Sequence, residues 1–132
     1  MNTLSIRISY SDTDQMGMVY YSNYLVFFER GRTELFRSLG ISYKELEEKE
    51  CFFPVVRSEC NYFAPARYDD IINVETKIAE IGAASVTLYY EIKRDGKILA
   101  SGITKHPLVN KDLKPIRFPK EIKEKLEQYL EK

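Results

Sequence analysis

The sequence is short of the residues on which many enzymes and metal sites depend. Its 132 residues contain one histidine, two cysteines and no tryptophan. A Ser-His-Asp or Cys-His device would have to use His106, and no recognisable local motif surrounds Cys51 or Cys60. Zinc sites need several His or Cys ligands, and no glycine-rich phosphate loop of the G-x-x-x-x-G-K type occurs. We interpret His106 as a structural or surface residue and expect neither a metal nor a cofactor.

An excess of charge of one sign and long apolar runs are also absent. Lys and Arg together number 20, as do Asp and Glu, so the formal net charge is zero. This balance does not indicate nucleic acid or an anionic membrane as the main partner. No apolar run approaches the ~18 residues of a membrane helix, and the opening MNTLSIRISY lacks the pattern of a signal peptide. We therefore expect a cytoplasmic protein without nucleic-acid binding or membrane insertion.

The hydrophobic pattern predicts one α+β domain over residues 1–132. Alternation from Leu4 to Tyr10 predicts a first strand, and apolar residues at helical spacing then predict a helix from about Ser22 to Leu39. A short second helix opening at Ser42, four further strands and a last helix follow. The strands are expected at about 56–63, 72–82, 86–92 and 97–109, and the last helix from 119. Because short turns join consecutive strands, we expect an antiparallel sheet with the long helix packed on one face.

Several residues mark the ends and faces of these elements. Ser22 is a candidate N-cap, and Gly40 is a natural C-terminal stop for the long helix. Gly31 lies on the apolar stripe of that helix, where it indicates either close approach to the sheet or a tolerated glycine. Pro119 suits the first position of the last helix, with Ile122, Leu126, Tyr129 and Leu130 on its apolar side.

The stretch SDTDQMGMVYYSNY, residues 11–24, carries two aspartates before a turn at Gly17. Its Asp12-x-Asp14-x-x-Gly17 spacing superficially matches the opening of an EF-hand loop. That loop needs an oxygen ligand at its fifth position and a glutamate at its twelfth. Here these positions hold Met16 and Asn23, so the pattern does not support a calcium site.

A chemical reading of the same stretch starts from Asp14. The turn at Gly17 leads the chain into a helix N-terminus, whose unpaired N–H groups can stabilise an oxyanion formed on a carbonyl. A nearby carboxylate can act as a nucleophile or as a general base toward water. Together these groups suffice to hydrolyse an activated acyl group such as a thioester. The alternative is that Asp12 and Asp14 only form the turn.

Three blocks of sequence carry a resemblance to a known family. YSDTDQMGMVYYSNYLVFFERGR, FPVVRSECNYFAPARYDDIINVET and SGITKHPLVNKDLKPIRFP resemble hot-dog-fold acyl-CoA thioesterases of the 4-hydroxybenzoyl-CoA thioesterase type. The likeness is greatest to the small bacterial acyl-CoA thioesterases associated with the Tol-Pal cell-envelope system. It implies a curved antiparallel sheet wrapped around a long central helix. It also implies a homodimer built through a continuous sheet, with active sites at the interface, and a dimer of dimers.

The resemblance also implies roles for individual residues. Asp14 takes the place of the catalytic carboxylate, the backbone N–H of Tyr21 that of the oxyanion donor, and Gly17 that of the turn between them. Many Tol-Pal-associated members have a histidine where Tyr21 stands, so no role is expected for its ring. Asp12 is interpreted as structural.

The substrate implied is an acyl-CoA. Three residues are candidate linings of the acyl pocket, with core packing as the alternative for each: Met18, Tyr24 and Phe28. Three cations are candidates for the CoA phosphates, with ordinary solvated surface as the alternative: Arg67, Lys105 and Arg117. The sequence does not reveal the acyl chain.

Other functions are compatible with the same residues. A non-catalytic acyl-thioester-binding module or envelope-associated scaffold would keep the fold without CoA release. A hot-dog dehydratase would use a histidine, and His106 is far from the motif in sequence. A generic protein-interaction domain would have no apolar tunnel at a dimer interface.

Overall fold

The computed structural model describes residues 1–130, so the last two residues of the predicted domain, 131 and 132, lie outside the described part. The helices are α1 (Asn23–Ser38), α2 (Tyr43–Glu48) and α3 (Lys120–Gln128). The strands are β1 (Asn2–Arg7), β2 (Arg57–Tyr62), β3 (Ile71–Ile81), β4 (Ser85–Arg94) and β5 (Lys97–Pro107). A single 3-10 turn, Tyr10–Asp12, follows β1.

The five strands form one antiparallel sheet in the order β1-β3-β4-β5-β2. The pairings of β3 with β4 and of β4 with β5 each contain a shift of register, at Ile78/Glu80 and at Ile92/Lys93. Such irregularities bend and twist strands, which suits a curved sheet. Along β3 and β4 every second residue is buried, and these residues form the core with α1. The expected α+β class is confirmed.

Helix α1 packs directly on the inner face of the sheet. The ring of Phe28 stacks on that of Tyr90 from β4, with centroids 4.3 Å apart and planes 11° from parallel. At Gly31, an added Cβ would lie 2.5 Å from Oγ1 of Thr76 on β3, closer than packed atoms approach. Gly31 therefore allows the close contact between helix and sheet that was one of its two interpretations.

Some predicted element ends differ from those observed. Ser22 precedes α1, but it has helical backbone angles and its side chain makes no capping hydrogen bond, so it is not a true side-chain N-cap. Pro119 is the N-cap of α3 rather than its first residue. Tyr129 follows α3 and is 51% exposed, so its placement on the apolar side was wrong. Strand β5 ends at Pro107, because Val109 pairs instead with Phe52 and Pro115.

Candidate active site

The loop after β1 holds the carboxylate of Asp14 by backbone hydrogen bonds. Oδ1 of Asp14 accepts from the N–H groups of Met16 at 2.8 Å and Met18 at 3.2 Å. The Asp14 N–H donates to the Met18 carbonyl at 2.8 Å, and Gly17 in this turn has φ +75°. A positive φ favours glycine, which explains the residue at the tightest point of the loop. Within residues 1–130, Oδ2 of Asp14 accepts no hydrogen bond.

Asp12 is engaged in quite different contacts. Its Oδ2 accepts from the N–H and the hydroxyl of Ser9, at 2.9 and 2.8 Å. Its Oδ1 accepts from Nδ2 of Asn23 at 3.0 Å, and its carbonyl accepts from the N–H of Tyr20. Asp12 thereby ties the end of β1 to the start of α1.

The chain entering α1 leaves donors free at its first turn. The peptide group joining Tyr20 to Tyr21 is fixed by the Asn23 N–H, which donates to the Tyr20 carbonyl at 2.9 Å. The N–H of Tyr21 and that of Ser22 donate to no acceptor in the described part of the chain. Such donors at a helix N-terminus, with the positive end of the helix dipole behind them, favour a negatively charged group.

Asp14 and Tyr21 line one open groove of about 410 Å³, here called the Asp14 groove. One wall comes from the loop and the start of α1, and the other comes from the end of β2 and the residues after it. The lining residues are Asp14, Met18, Val19, Tyr20, Tyr21, Tyr24, Tyr62, Phe63, Ala64 and Pro65.

Tyr62 and Tyr24 connect the two walls. The hydroxyl of Tyr62 donates to the Tyr21 carbonyl at 3.0 Å. Partial desolvation of its hydroxyl, followed by the neighbouring Cys60, raises the pKa of Tyr62 to about 12, so this hydroxyl keeps its proton. The hydroxyl of Tyr24 accepts from the N–H of Ala66 at 3.2 Å, and burial raises the pKa of Tyr24 as well. The Tyr62 bond fixes the peptide group after Tyr21, and the Tyr24 bond ties α1 to the segment after β2.

The structure brings most of the predicted site residues together, with Phe28 as an exception. Asp14, Met18, Tyr21 and Tyr24 line the Asp14 groove, and Gly17 forms the turn beside it. Phe28 does not line this groove, because its ring is fully buried against Tyr90. Its interpretation as acyl-pocket lining gives way to the alternative of core packing.

The three predicted cations lie in separate places. Arg67 forms a backbone bridge with Met18, so it stands next to the Asp14 groove. Lys105 lies on β5 opposite Arg57, and Arg117 lies in the exposed segment before α3. Neither Lys105 nor Arg117 lines the Asp14 groove.

Sequence reasoning missed the far wall of the groove. Tyr62, Phe63, Ala64 and Pro65 are about 40 positions from Tyr21, and the strand pattern assigned Tyr62 only to a face of β2. Phe63 is 64% exposed in the structure, and the sequence alone does not show that exposure.

His106 is buried in the sheet and does not line the Asp14 groove. Its Nε2 lies 2.7 Å from Oγ1 of Thr104, and its Nδ1 lies 3.3 Å from the Phe53 carbonyl. Since a carbonyl only accepts, Nδ1 carries the proton and Nε2 accepts from the Thr104 hydroxyl. Burial, with the charge of Arg32, lowers the pKa of His106 to about 4. This agrees with the interpretation of His106 as a structural residue.

Neither a metal cluster nor a membrane helix is found between residues 1 and 130. No group of three or more His, Cys, Asp or Glu side chains in that range could hold a metal ion. No helix there is both long and apolar enough to span a bilayer. The cytoplasmic location stays a prediction.

Comparison with known families matches residues 8–126 to the thioesterase-like superfamily. The chain is 37% identical over 120 residues to the acyl-CoA thioesterase YbgC of Haemophilus influenzae, covering 89% of this chain and 88% of that protein. The association with the Tol-Pal system stays a prediction.

Solved structures share the same fold. A hypothetical protein, TT1821, from Thermus thermophilus superposes with a TM-score of 0.93 at 32% identity, over 98% of this chain and 99% of that one. The DHNA-CoA thioesterase of Staphylococcus aureus gives a TM-score of 0.91 at 27% identity, over 96% and 89% of the two chains. The expected hot-dog architecture is confirmed.

Proposed function

The chain belongs to the thioesterase-like superfamily, and we propose that this thioester hydrolase releases CoA from acyl-CoA by means of Asp14 and the start of α1. The observation that supports this mechanism is that two groups without hydrogen-bond partners among residues 1–130 belong to residues of the same groove. Oδ2 of Asp14 and the N–H of Tyr21 are both without partners among residues 1–130, and both residues line the Asp14 groove.

The two groups perform complementary tasks in the proposed reaction. Asp14 takes a proton from a water molecule while the water oxygen attacks the thioester carbon. The carbonyl oxygen becomes an oxyanion, which accepts a hydrogen bond from the Tyr21 N–H. The tetrahedral intermediate then collapses, the carbon–sulfur bond breaks, and the CoA thiolate takes up the proton. The products are a free acid and CoA.

A nucleophilic route uses the same geometry. Here an Asp14 oxygen attacks the thioester carbon and expels CoA, and water then hydrolyses the resulting anhydride. A single turnover in ¹⁸O-labelled water that leaves ¹⁸O in the Asp14 carboxylate would demonstrate the nucleophilic route, since only attack of labelled water on the Asp14 carbonyl of the anhydride puts the label there. Direct attack of water on the thioester places the label only in the released acid.

The proposed role of Asp14 is tested by thiol release from a panel of acyl-CoAs. We expect Asp14→Asn to lower kcat by about 10²- to 10⁴-fold, the usual contribution of a positioned acid–base group, with little change in the free energy of unfolding. Asp95→Asn is the matched control, because Asp95 has φ +52° in the β4–β5 turn and asparagine tolerates that conformation. Near-normal turnover by Asp14→Asn would remove Asp14 from the chemistry. Tight acyl-CoA binding without CoA release by the wild type would favour the non-catalytic binding module.

We also propose that the protein is a homodimer joined along β2. Strand β2 is an edge of the sheet with unpaired backbone groups, and exposed apolar side chains flank it. These side chains are Val55, Val56, Tyr62 and Phe63. A second copy added at this edge would continue the sheet and close the Asp14 groove, whose far wall lies at the end of β2. We further propose that two such dimers associate into a tetramer. We also propose that Arg67 contacts the CoA phosphates.

A further inference from the structure

Three cavities follow one another along α1. The first is the Asp14 groove, at the start of the helix. The second, about 300 Å³, is lined on α1 by Leu25, Val26, Glu29 and Arg32, and is here called the middle cavity. The third, about 570 Å³, also contains Glu29 and Arg32 and is here called the Arg32 cavity. On the opposite side the linings run in the same order, from Tyr62 through Ser58 and Val55 to the segment 52–54.

This row of cavities changes in character from one end to the other. The Asp14 groove carries the proposed chemistry. The middle cavity exposes apolar side chains, with Leu25, Val26 and Val55 each between 37% and 48% exposed. The Arg32 cavity combines aromatic walls from Tyr43, Phe52 and Phe53 with the guanidinium. An extended apolar chain with a polar end would match this sequence of surfaces.

Arg32 is half-buried and has no counter-ion among residues 1–130. None of the carboxylates between residues 1 and 130 forms an ion pair with it, whereas Arg37 on the same helix pairs with Glu34 at 2.7 Å. Its charge opposes the rise in pKa that burial gives Tyr43, to about 12, and Tyr90. A guanidinium presents five N–H donors in a planar fork that suits a carboxylate. Because Arg32 is half-buried, water screens its charge less, and it binds an anion more strongly than an exposed arginine would.

The charges around Arg32 restrict which anion fits. Glu29 and Glu47 line the same cavity, and its second cation, Lys111, already pairs with Glu50 at 3.6 Å. A group with several negative charges, such as the CoA pyrophosphate, would therefore be repelled. A single carboxylate is attracted by Arg32 at close range, and Glu29 and Glu47 repel it less than they repel a group with several charges. From Asn23, at the start of α1, to Arg32 the helix rises about 14 Å at 1.5 Å per residue, which an extended acyl chain can span.

We propose that Arg32 binds a carboxylate at the far end of the acyl group, so that the enzyme prefers thioesters of dicarboxylic acids over simple acyl thioesters of the same length. The inference rests on the proposed function, because the reacting carbonyl must lie at Asp14. Arg32 is then a specificity-determining residue, and preference should peak at the chain length that reaches from Asp14 to its guanidinium.

The test measures kcat/KM for ω-carboxyacyl-CoA and for the unsubstituted acyl-CoA of equal length. The specificity ratio of the two should fall about 10- to 100-fold in Arg32→Gln, the usual effect of losing a charge-assisted hydrogen bond, and recover in part in Arg32→Lys. Arg37→Gln is the matched control and should leave the ratio unchanged, since Arg37 is exposed and lines none of the three cavities.

Two further arms separate the possible failures. N-acetylcysteamine thioesters of the same acids lack phosphates, so a loss confined to CoA thioesters would show that Arg32 binds CoA and would overturn the inference. Calorimetric titration with S-(ω-carboxyalkyl)-CoA and S-alkyl-CoA thioethers measures the same preference without turnover. If no acyl-CoA is hydrolysed, the proposed function fails, while the thioether affinities still decide the role of Arg32. If Arg32→Gln leaves the specificity ratio unchanged, the proposed role of Arg32 in binding a carboxylate is rejected.

Discussion

Two aspartates that lie two positions apart show how residues of one type take different roles in one loop. Both oxygens of the Asp12 carboxylate are occupied, by Ser9 and by Asn23. The Asp14 carboxylate is held through Oδ1 alone, and Oδ2 remains available within the described chain. Fixing one oxygen restricts the rotation of the carboxylate while leaving the other to react, which is the preorganisation that catalysis requires.

His106 provides a test of burial at a single residue. The folded protein holds its pKa at about 4, against 6.5 for an exposed histidine. As the pH falls below about 6.5, the unfolded chain takes up a proton that the folded protein does not bind until about pH 4. Stability is therefore lost on acidification through that window, by roughly 2 to 3 kcal/mol, and no such loss arises above pH 7.

Urea unfolding between pH 7 and 4 measures this effect. His106→Gln should lack this part of the loss, while the carboxylates that also titrate remain in both proteins. Because His106 is the only histidine, its ring proton resonances can be followed by NMR without assignment. A titration midpoint near 6.5 in the folded protein would contradict the buried, neutral imidazole.

At the residue scale, the sequence predicts one wall of the groove and misses the other. Asp14, Gly17, Met18, Tyr21 and Tyr24 lie within eleven positions, so local turn and helix signals place them together. Tyr62 and Phe63 reach the same groove only through the pairing of β2 with β5. That register depends on long-range contacts, which hydrophobic periodicity does not encode.

At the scale of elements, the contact between α1 and β3 depends on Gly31. Alanine there would favour the helix by about 1 kcal/mol, but its Cβ would lie 2.5 Å from Oγ1 of Thr76 and 2.8 Å from Cγ1 of Val74. We expect the overlap to prevail and Gly31→Ala to lower the free energy of unfolding by about 1 to 3 kcal/mol in chemical denaturation.

A double-mutant cycle with Thr76→Ala tests the cause. The Thr76 hydroxyl is buried without a hydrogen-bond partner in the described part of the chain, so its removal breaks no such bond there and relieves part of the overlap. The loss caused by Gly31→Ala should therefore be smaller in the Thr76→Ala background. Equal losses in both backgrounds would mean that this overlap does not limit the approach of α1.

Element types were predictable where local signals are strong. The Asp95-Gly96 pair marks the turn between β4 and β5, and the alternation in β3 and β4 matches their buried faces. In β2 the alternation predicted a strand, and the strand is present, but five of its six residues are exposed and Cys60 is half-buried. Alternation does not predict the burial of such an edge strand, because that burial depends on what packs against the strand from outside the single chain.

At the scale of the whole molecule, the two edges of the sheet differ. Exposed apolar residues lie near both edges, with Met1, Tyr10 and Ile71 near β1. Those at β2 include Tyr62 and Phe63, which line the Asp14 groove. Self-association at β2 would therefore bury apolar surface and cover the proposed active site at the same time.

This asymmetry predicts the effect of a charge placed at either edge. Val56 is 62% exposed in the chain, so Val56→Asp should scarcely alter the stability of one subunit. Two copies facing each other across β2 would bring buried, unpaired carboxylates into the interface, which shifts the protein toward monomer and lowers CoA release. The control is Ile71→Asp, at a residue that is 52% exposed beside β1, and it should change neither the oligomeric state nor CoA release. Analytical ultracentrifugation reports the oligomeric state, and a wild type that is active as a monomer would show that the groove is complete in one subunit.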